Sequence, residues 1–144
     1  MSLGDVRAAA EALRQTVVSD TVAKSATLES PIRVVTPDGA LDSWFVALTT
    51  RDGMLGFLQL EPDLSLHRYS TFEQVQPPSA WLDPETIRAH ARTAVTEDEE
   101  LGDPVLTYRE NRDRLTWRVP IRNRPSAIYV IGDFVEVEPT ALDP

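Results

Sequence analysis

The chain contains no cysteine. That excludes disulfides, thiolate metal centres and a cysteine nucleophile. It has one lysine, Lys24, and two histidines, His67 and His90. Neither histidine has a partner at a metal-ligand spacing such as His-x-x-x-His, so both read as surface or half-buried side chains. Glycine is scarce, and no glycine-rich loop precedes a helix; phosphate cradles of the P-loop or dinucleotide-binding kind are therefore absent. No serine lies in Gly-x-Ser-x-Gly or Ser-x-x-Lys, two common local settings of a nucleophilic serine. No apolar run approaches the ~20 residues of a membrane-spanning helix. Basic charge is also short: the formal net charge is -9, which argues against a partner such as nucleic acid or an anionic membrane, because both want a basic field. The opening "MSLGDVRAAA" has neither a basic n-region nor an apolar h-region. As written, the chain reads as cytoplasmic, with the cell envelope the alternative if a leader has been removed. No cofactor and no metal are called for.

What is there is patterned. "GDVRAAAEALRQTVVSDTVAKSATL" reads as a helix with Asp5 as its N-cap, since Val6, Ala10, Leu13 and Val17 form one apolar stripe. "IRVVT" reads as a strand. "PDG" at 37–39 reads as a turn, because Pro presets φ and Gly supplies φ > 0. "SWFVALTT", "MLGFLQLE" and "LSLHRYS" follow as strands. "EQVQPPSAW" looks like a connector, because Pro77-Pro78 continues neither a ladder nor a helix. A second helix then starts with Asp83 at the N-cap, Pro84 at N1 and Glu85 in the first turn. The strands "PVLTYRE", "RLTWRVPIR", "AIYVI" and "FVEVE" complete the chain.

The same pattern is written twice. Slid by 73 residues, Pro31 meets Pro104, Trp44 meets Trp117, Val46 meets Val119 and Arg51 meets Arg124, while Leu28 meets Leu101 and Leu48 meets Ile121. The Pro-to-Trp spacing is 13 in both halves. "EPDLSL" and "IGDFVEV" correspond after a deletion of about three residues. The expectation is an α+β chain holding two copies in tandem of a helix-plus-antiparallel-sheet unit, at 1–75 and 76–144, with the connector at about 72–82.

Each half resembles a PepSY-type domain, a helix packed on a short antiparallel sheet with a cystatin-like shape. "DPETIRAHA", "LTWRVPI" and "IYVIGDFVEV" carry the resemblance in the second half, and "SWFVAL" and "GFLQLEPDLSL" in the first. Where such domains close with Asp-x-x-Thr-Gly, this chain has Gly132-Asp133 and Pro62-Asp63. The resemblance implies a non-catalytic module of the kind found in protease propeptides and cell-envelope regulators.

Candidate functional residues are few. The acidic run "EDEELGD", Glu97 to Asp103, lacks the order of a calcium loop; it reads as a solvated loop or a docking patch for a basic partner. Trp44 and Trp117 occupy matching core positions and read as core filler, while Trp81 in the connector suggests a cap. In "RLTWRVPIR", Leu115, Trp117, Val119 and Ile121 point to one face, and Arg114, Arg118 and Arg122 point to the other. The matching face in the first half is Ser43, Phe45, Ala47 and Thr49, far less polar and suited to packing on something apolar. Two readings of the arginine face compete. One is a wet sheet face with cross-strand pairs to Glu136 and Glu138. The other is a site for an acidic protein or peptide partner at Arg114, Arg118 and Arg122. The function these observations imply is a non-enzymatic binding or regulatory module, protease-modulating in the resemblance's terms, with a homodimer as one option. The alternatives are a cone-shaped α+β domain with a ligand or catalytic pocket, and an acidic dimer like the secretion chaperones. The inward strand positions are Trp, Val, Leu and Ile rather than polar, which disfavours the pocket.

Overall fold

The structure is a computed structural model that describes residues 2–123, 125–132 and 134–138. Arg124 and Asp133, named in the comparison of the halves, lie outside these residues, as does the end of the chain from 139. The fold is α+β, and the chain divides into two compact units, Met1–Pro78 and Ser79–Pro144.

The first unit opens with helix α1 (Leu3–Val17). Its N-cap is Ser2, not Asp5. The Ser2 hydroxyl accepts from the Asp5 N–H, and the Asp5 carboxylate accepts from the Ser2 N–H, each at 3.1 Å. This capping box satisfies two orphan donors at once and holds the Asp5 carboxyl below its ordinary range. The helix stops at Val17 and a separate short helix α2 (Thr21–Ser25) begins, so the single long helix expected here is broken. The cause is local: the Asp20 carboxylate accepts from the Val22 N–H at 2.8 Å and starts a new helix rather than continuing the old one.

Five strands follow: β1 (Thr27–Leu28), β2 (Ile32–Val35), β3 (Leu41–Thr50), β4 (Gly53–Leu60) and β5 (Leu66–Gln76). They lie in the order β5-β4-β3-β2, with β1 also pairing with β3, and every pairing is antiparallel. The β2–β3 turn places Gly39 at φ 98°, as the "PDG" signal requires. Strand β5 continues through "EQVQ" to Gln76, a stretch expected as connector. On one sheet face Trp44, Val46, Leu48, Leu58 and Leu60 pack with Val6 and Ala10 of α1. Each fully buried Leu or Val there contributes roughly 1.5–3 kcal/mol of transfer free energy. The opposite face is buried as well. Phe45 stacks on Phe57 with centroids 4.6 Å apart, and Arg68 lies 5.0 Å over the Phe57 ring. The Gln59 amide donates to the Ser43 hydroxyl and accepts from Arg68 Nε, both at 2.8 Å.

The second unit begins with the short helix α3 (Pro78–Leu82), where "PPSAW" was expected to be irregular. Helix α4 (Pro84–Arg92) follows, N-capped by Asp83 with Pro84 at N1 as read from the sequence. Strands β6 (Val105–Tyr108), β7 (Leu115–Ile121), β8 (Ser126–Ile131) and β9 (Phe134–Val137) form an antiparallel sheet in chain order. Helix α4 lies against β7 and β8 and buries Ile87 and Ala91. Leu115, Trp117, Val119 and Ile121 are all buried, which fixes the register of β7 as its alternation predicts. The Trp117 indole donates to the Trp81 carbonyl at 3.0 Å, tying α3 to this core.

The pairing registers of the two units run in step. Ile32 opposite Phe45, Arg33 opposite Trp44 and Val34 opposite Ser43 recur as Val105 opposite Arg118, Leu106 opposite Trp117 and Thr107 opposite Thr116. Each residue stands 73 positions on (105 − 32, 118 − 45). Leu28 opposite Leu48 recurs as the bridge between Leu101 and Ile121. The Glu29 N–H donates to the Ala47 carbonyl, and the Gly102 N–H to that of Pro120. Trp44 opposite Leu60 and Val46 opposite Leu58 recur as Trp117 opposite Val130 and Val119 opposite Ile128. The N-caps Ser2 and Asp83, and the buried pairs Val6/Ala10 and Ile87/Ala91, hold matching places on α1 and α4.

Candidate functional site: the sheet face of the second unit away from α4

Alternation along β6 to β9 sends Thr107, Thr116, Arg118, Tyr129, Glu136 and their neighbours to the side of the sheet opposite Trp117 and Val119. Two registers decide which of them meet. Tyr129 lies opposite both Arg118 and Glu136, so one aromatic ring sits between a guanidinium and a carboxylate. The Tyr129 hydroxyl donates to Glu138 at 2.9 Å. Burial, then this hydrogen bond, pushes the phenol up from its ordinary value. Arg109, just past β6, spans the sheet to Glu136 at 2.7 Å and lies 4.2 Å over the Tyr129 ring. That adds a cation–π contact to an ion pair.

The three arginines named from the sequence have different surroundings. Arg118 pairs with Glu138 at 3.4 Å and is partly covered. Arg114 pairs with Glu110 at 2.5 Å, both side chains being well exposed; exposed pairs of this kind are worth about 0–1 kcal/mol. Arg122 follows the end of β7, and its backbone N–H donates to the Glu100 carbonyl. Its guanidinium makes no ion pair with any described residue. The face therefore pairs Glu138 with Arg118 of the row but Glu136 with Arg109, outside it, and among the described residues Arg122 has no carboxylate.

Beside the arginine row is a groove of about 250 Å³ lined by Arg109, Arg114, Thr116, Ile131, Phe134 and Glu136, among others. Phe134 is 61% exposed and Ile131 41%, directly opposite each other at the β8–β9 end. Arg109, Ile131 and Phe134 lie outside the alternating arginine row that marks this face in the sequence. The apolar signal was present in "VIGDF", but only the register shows that it adjoins two guanidinium groups. At the places of Ser43, Phe45, Phe57 and Gln59, all buried in the first unit, the second has Thr116 and Ala127, also buried, and Arg118 and Tyr129, half-buried.

The other candidates are accounted for locally. His90 Nδ1 lies 2.9 Å from the Gly132 carbonyl, and His67 lies 3.5 Å from Glu61. In the acidic run, Glu99 accepts from the Thr96 N–H at 2.9 Å, and Asp103 pairs with Arg88 at 3.0 Å. Among the described residues no group of three His, Asp or Glu side chains is placed to hold a metal ion, and no helix is long and apolar enough to cross a membrane. No family model, curated protein or solved structure matches this chain.

Proposed function

We propose that this chain is a non-enzymatic protein-binding module, built by duplication of one α+β unit on a plan similar to tandem PepSY-like, cystatin-like domains. In this reading the second copy presents its sheet face to a partner segment. Support for the duplication comes from the recurring registers, which run through three strand pairs and both helix caps. The observation that carries the binding role is the contrast between matching faces. In the first unit the face is closed with Phe45, Phe57 and a Ser43–Gln59 hydrogen bond. In the second it bears a groove flanked by arginines, with Phe134 and Ile131 open to solvent. Aromatic and arginine side chains side by side are the usual anchors of protein interfaces. The partner expected is a peptide segment that offers an apolar residue to Phe134 and a carboxylate to Arg114 or Arg122.

A peptide-display selection against the immobilised full chain tests the proposal. Peptides enriched on the wild-type chain are expected to lose at least tenfold in affinity on a Phe134→Ser/Arg114→Gln variant of unchanged thermal midpoint. Enriched peptides that bind the variant equally well would overturn it.

A further inference from the structure

A second groove lies in the first unit, along α1. It has a volume of about 460 Å³ and is lined by Gly4, Arg7, Ala8, Glu11, Arg14 and Leu28. The second unit has a groove in the matching place along α4, lined by Glu85, Arg88, Ala89, Arg92 and Leu101. The N-caps Ser2 and Asp83 align Arg7 with Arg88, Ala8 with Ala89 and Gly4 with Glu85. The strand register aligns Leu28 with Leu101 and Ser30 with Asp103. Three lining residues are thus identical: an arginine, an alanine and a leucine.

The two arginines differ in what they hold. Arg88 is clamped by two carboxylates of its own chain, Glu85 and, at 3.0 Å, Asp103. At those two places the first unit has Gly4 and Ser30, neither of which bears a charge. Accordingly Arg7, an exposed residue, makes no ion pair or hydrogen bond with any described residue, and acts on Glu11 of its own helix only through its charge. Seven residues along the same helix, Arg14 is 8% exposed. It donates to the Ala26 carbonyl and pairs with Glu11 at 2.5 Å, and its Nε has no hydrogen-bond partner. The groove therefore holds two guanidiniums against one carboxylate; Arg14 Nε and, beside it, Glu11 Oε2 are buried without a hydrogen-bond partner. Glu11 is shared along the helix: it pairs with Arg14, accepts from the Gln15 amide, and is held below the ordinary carboxyl range chiefly by Arg14 and least by the charge of Arg7.

We infer that the α1 groove receives an acidic side chain, aspartate or glutamate, from a partner peptide segment, with Arg7 taking the carboxylate as Arg88 takes Glu85 and Asp103. A planar guanidinium engages a carboxylate through two parallel N–H donors, which suits an incoming side chain better than a diffuse anion does. The inference rests on the two-copy reading, but it does not involve the sheet face of the second unit.

The test uses the second unit as the template. Gly4→Glu supplies the missing carboxylate from within. A Cβ on Gly4 meets only the Ser2 hydroxyl, at 3.6 Å, an ordinary contact. Replacing glycine near a helix N-terminus with an acidic residue favours the helix, so the variant is expected to keep or raise the thermal midpoint. The probe is a blocked, fluorescent peptide of alternating Leu and Glu, with its Leu/Gln counterpart as control, read by anisotropy on the full chain. The Glu peptide is expected to bind about threefold to fivefold more tightly than the Gln peptide, the range of an exposed ion pair. Gly4→Glu and Arg7→Gln are each expected to remove that difference. If both variants bind the Glu peptide as the wild type does, the inference is overturned. Loss on Phe134→Ser but not on Gly4→Glu would also overturn it while leaving the sheet-face proposal standing. Displacement by free glutarate at concentrations near the peptide's Kd would make the ligand a small carboxylate and overturn the peptide assignment.

Discussion

Replacing Trp117 with alanine removes the largest side chain from the core of the second unit, and its cost follows from the geometry. The residue is 6% exposed. A tryptophan buries about 150–250 Å². At ~25 cal/mol per Å², that is roughly 4–6 kcal/mol of transfer free energy. A compact unfolded chain already buries some of this surface and lowers the figure by about 10–40%. The indole also donates to the Trp81 carbonyl at 3.0 Å, worth ~1 kcal/mol net. The sum lies near the ~3–5 kcal/mol usual for truncating a buried aromatic. For a chain of this size that is a fall in thermal midpoint of about 2–4 °C per kcal/mol, or roughly 10 °C in all. Urea unfolding followed by far-UV circular dichroism measures it without relying on the tryptophan signal being altered. Trp117→Phe keeps most of the ring and loses the donor, and is expected to cost about 1–2 kcal/mol. A loss under ~1 kcal/mol for Trp117→Ala would refute the register of β7, since a one-residue slip would place the ring on the solvent side.

Further outcomes follow from single contacts. A Cβ at Gly56 would lie 2.2 Å from the Ser70 carbonyl oxygen. Gly56→Ala is therefore expected to cost about 1–3 kcal/mol as overpacking against backbone, read as a shift in urea midpoint. Burial raises the phenol pKa of Tyr69 and Tyr129 above the ordinary 10.0. The folded state then holds those protons more firmly than the unfolded state. The resulting stability is fully present below pH 10 and is lost as pH rises through the raised values. A Tyr69→Phe/Tyr129→Phe variant should show a flatter fall in urea midpoint above pH 10 than wild type. Among the arginines, Arg118→Gln is expected to lose up to ~1 kcal/mol through its partly covered pair with Glu138, and Arg114→Gln and Arg122→Gln less than ~0.5 kcal/mol each. Equal losses for all three would contradict the different surroundings described for them.

Much of the fold was legible because its signals are short-range. Asp83-Pro84-Glu85 marks a helix start by chemistry that does not depend on the rest of the chain. Strand β7 declares its two faces because charged residues alternate with apolar ones. Other signals compete locally. Asp20 offers its carboxylate to a nearby N–H and restarts a helix that the apolar stripe alone carries onward. "EQVQPPSAW" is polar and proline-rich, yet it pairs on β4 through Gln76 and then turns into a helix. Strand β3 is buried on both faces, so its sequence lacks the alternation that tells one face from the other. The candidate site depends on long-range register, and this is where sequence reading falls short. Arg114, Arg118 and Arg122 share a face by period, but the partner of Arg118 comes from just past β9 and that of Arg114 from the β6–β7 turn, while Arg122 has no ion-pair partner among the described residues. Arg109 and Phe134, 25 residues apart (134 − 109), meet at one groove only because β6, β7, β8 and β9 pair in succession.

The most direct test of the binding role is a heteronuclear NMR titration of the full chain with a peptide selected against it. The sheet-face reading expects the amide signals of Thr116, Ile131, Phe134 and Glu136, together with the Arg109 and Arg114 side chains, to move in proportion to occupancy. Saturation with none of these signals displaced would contradict it.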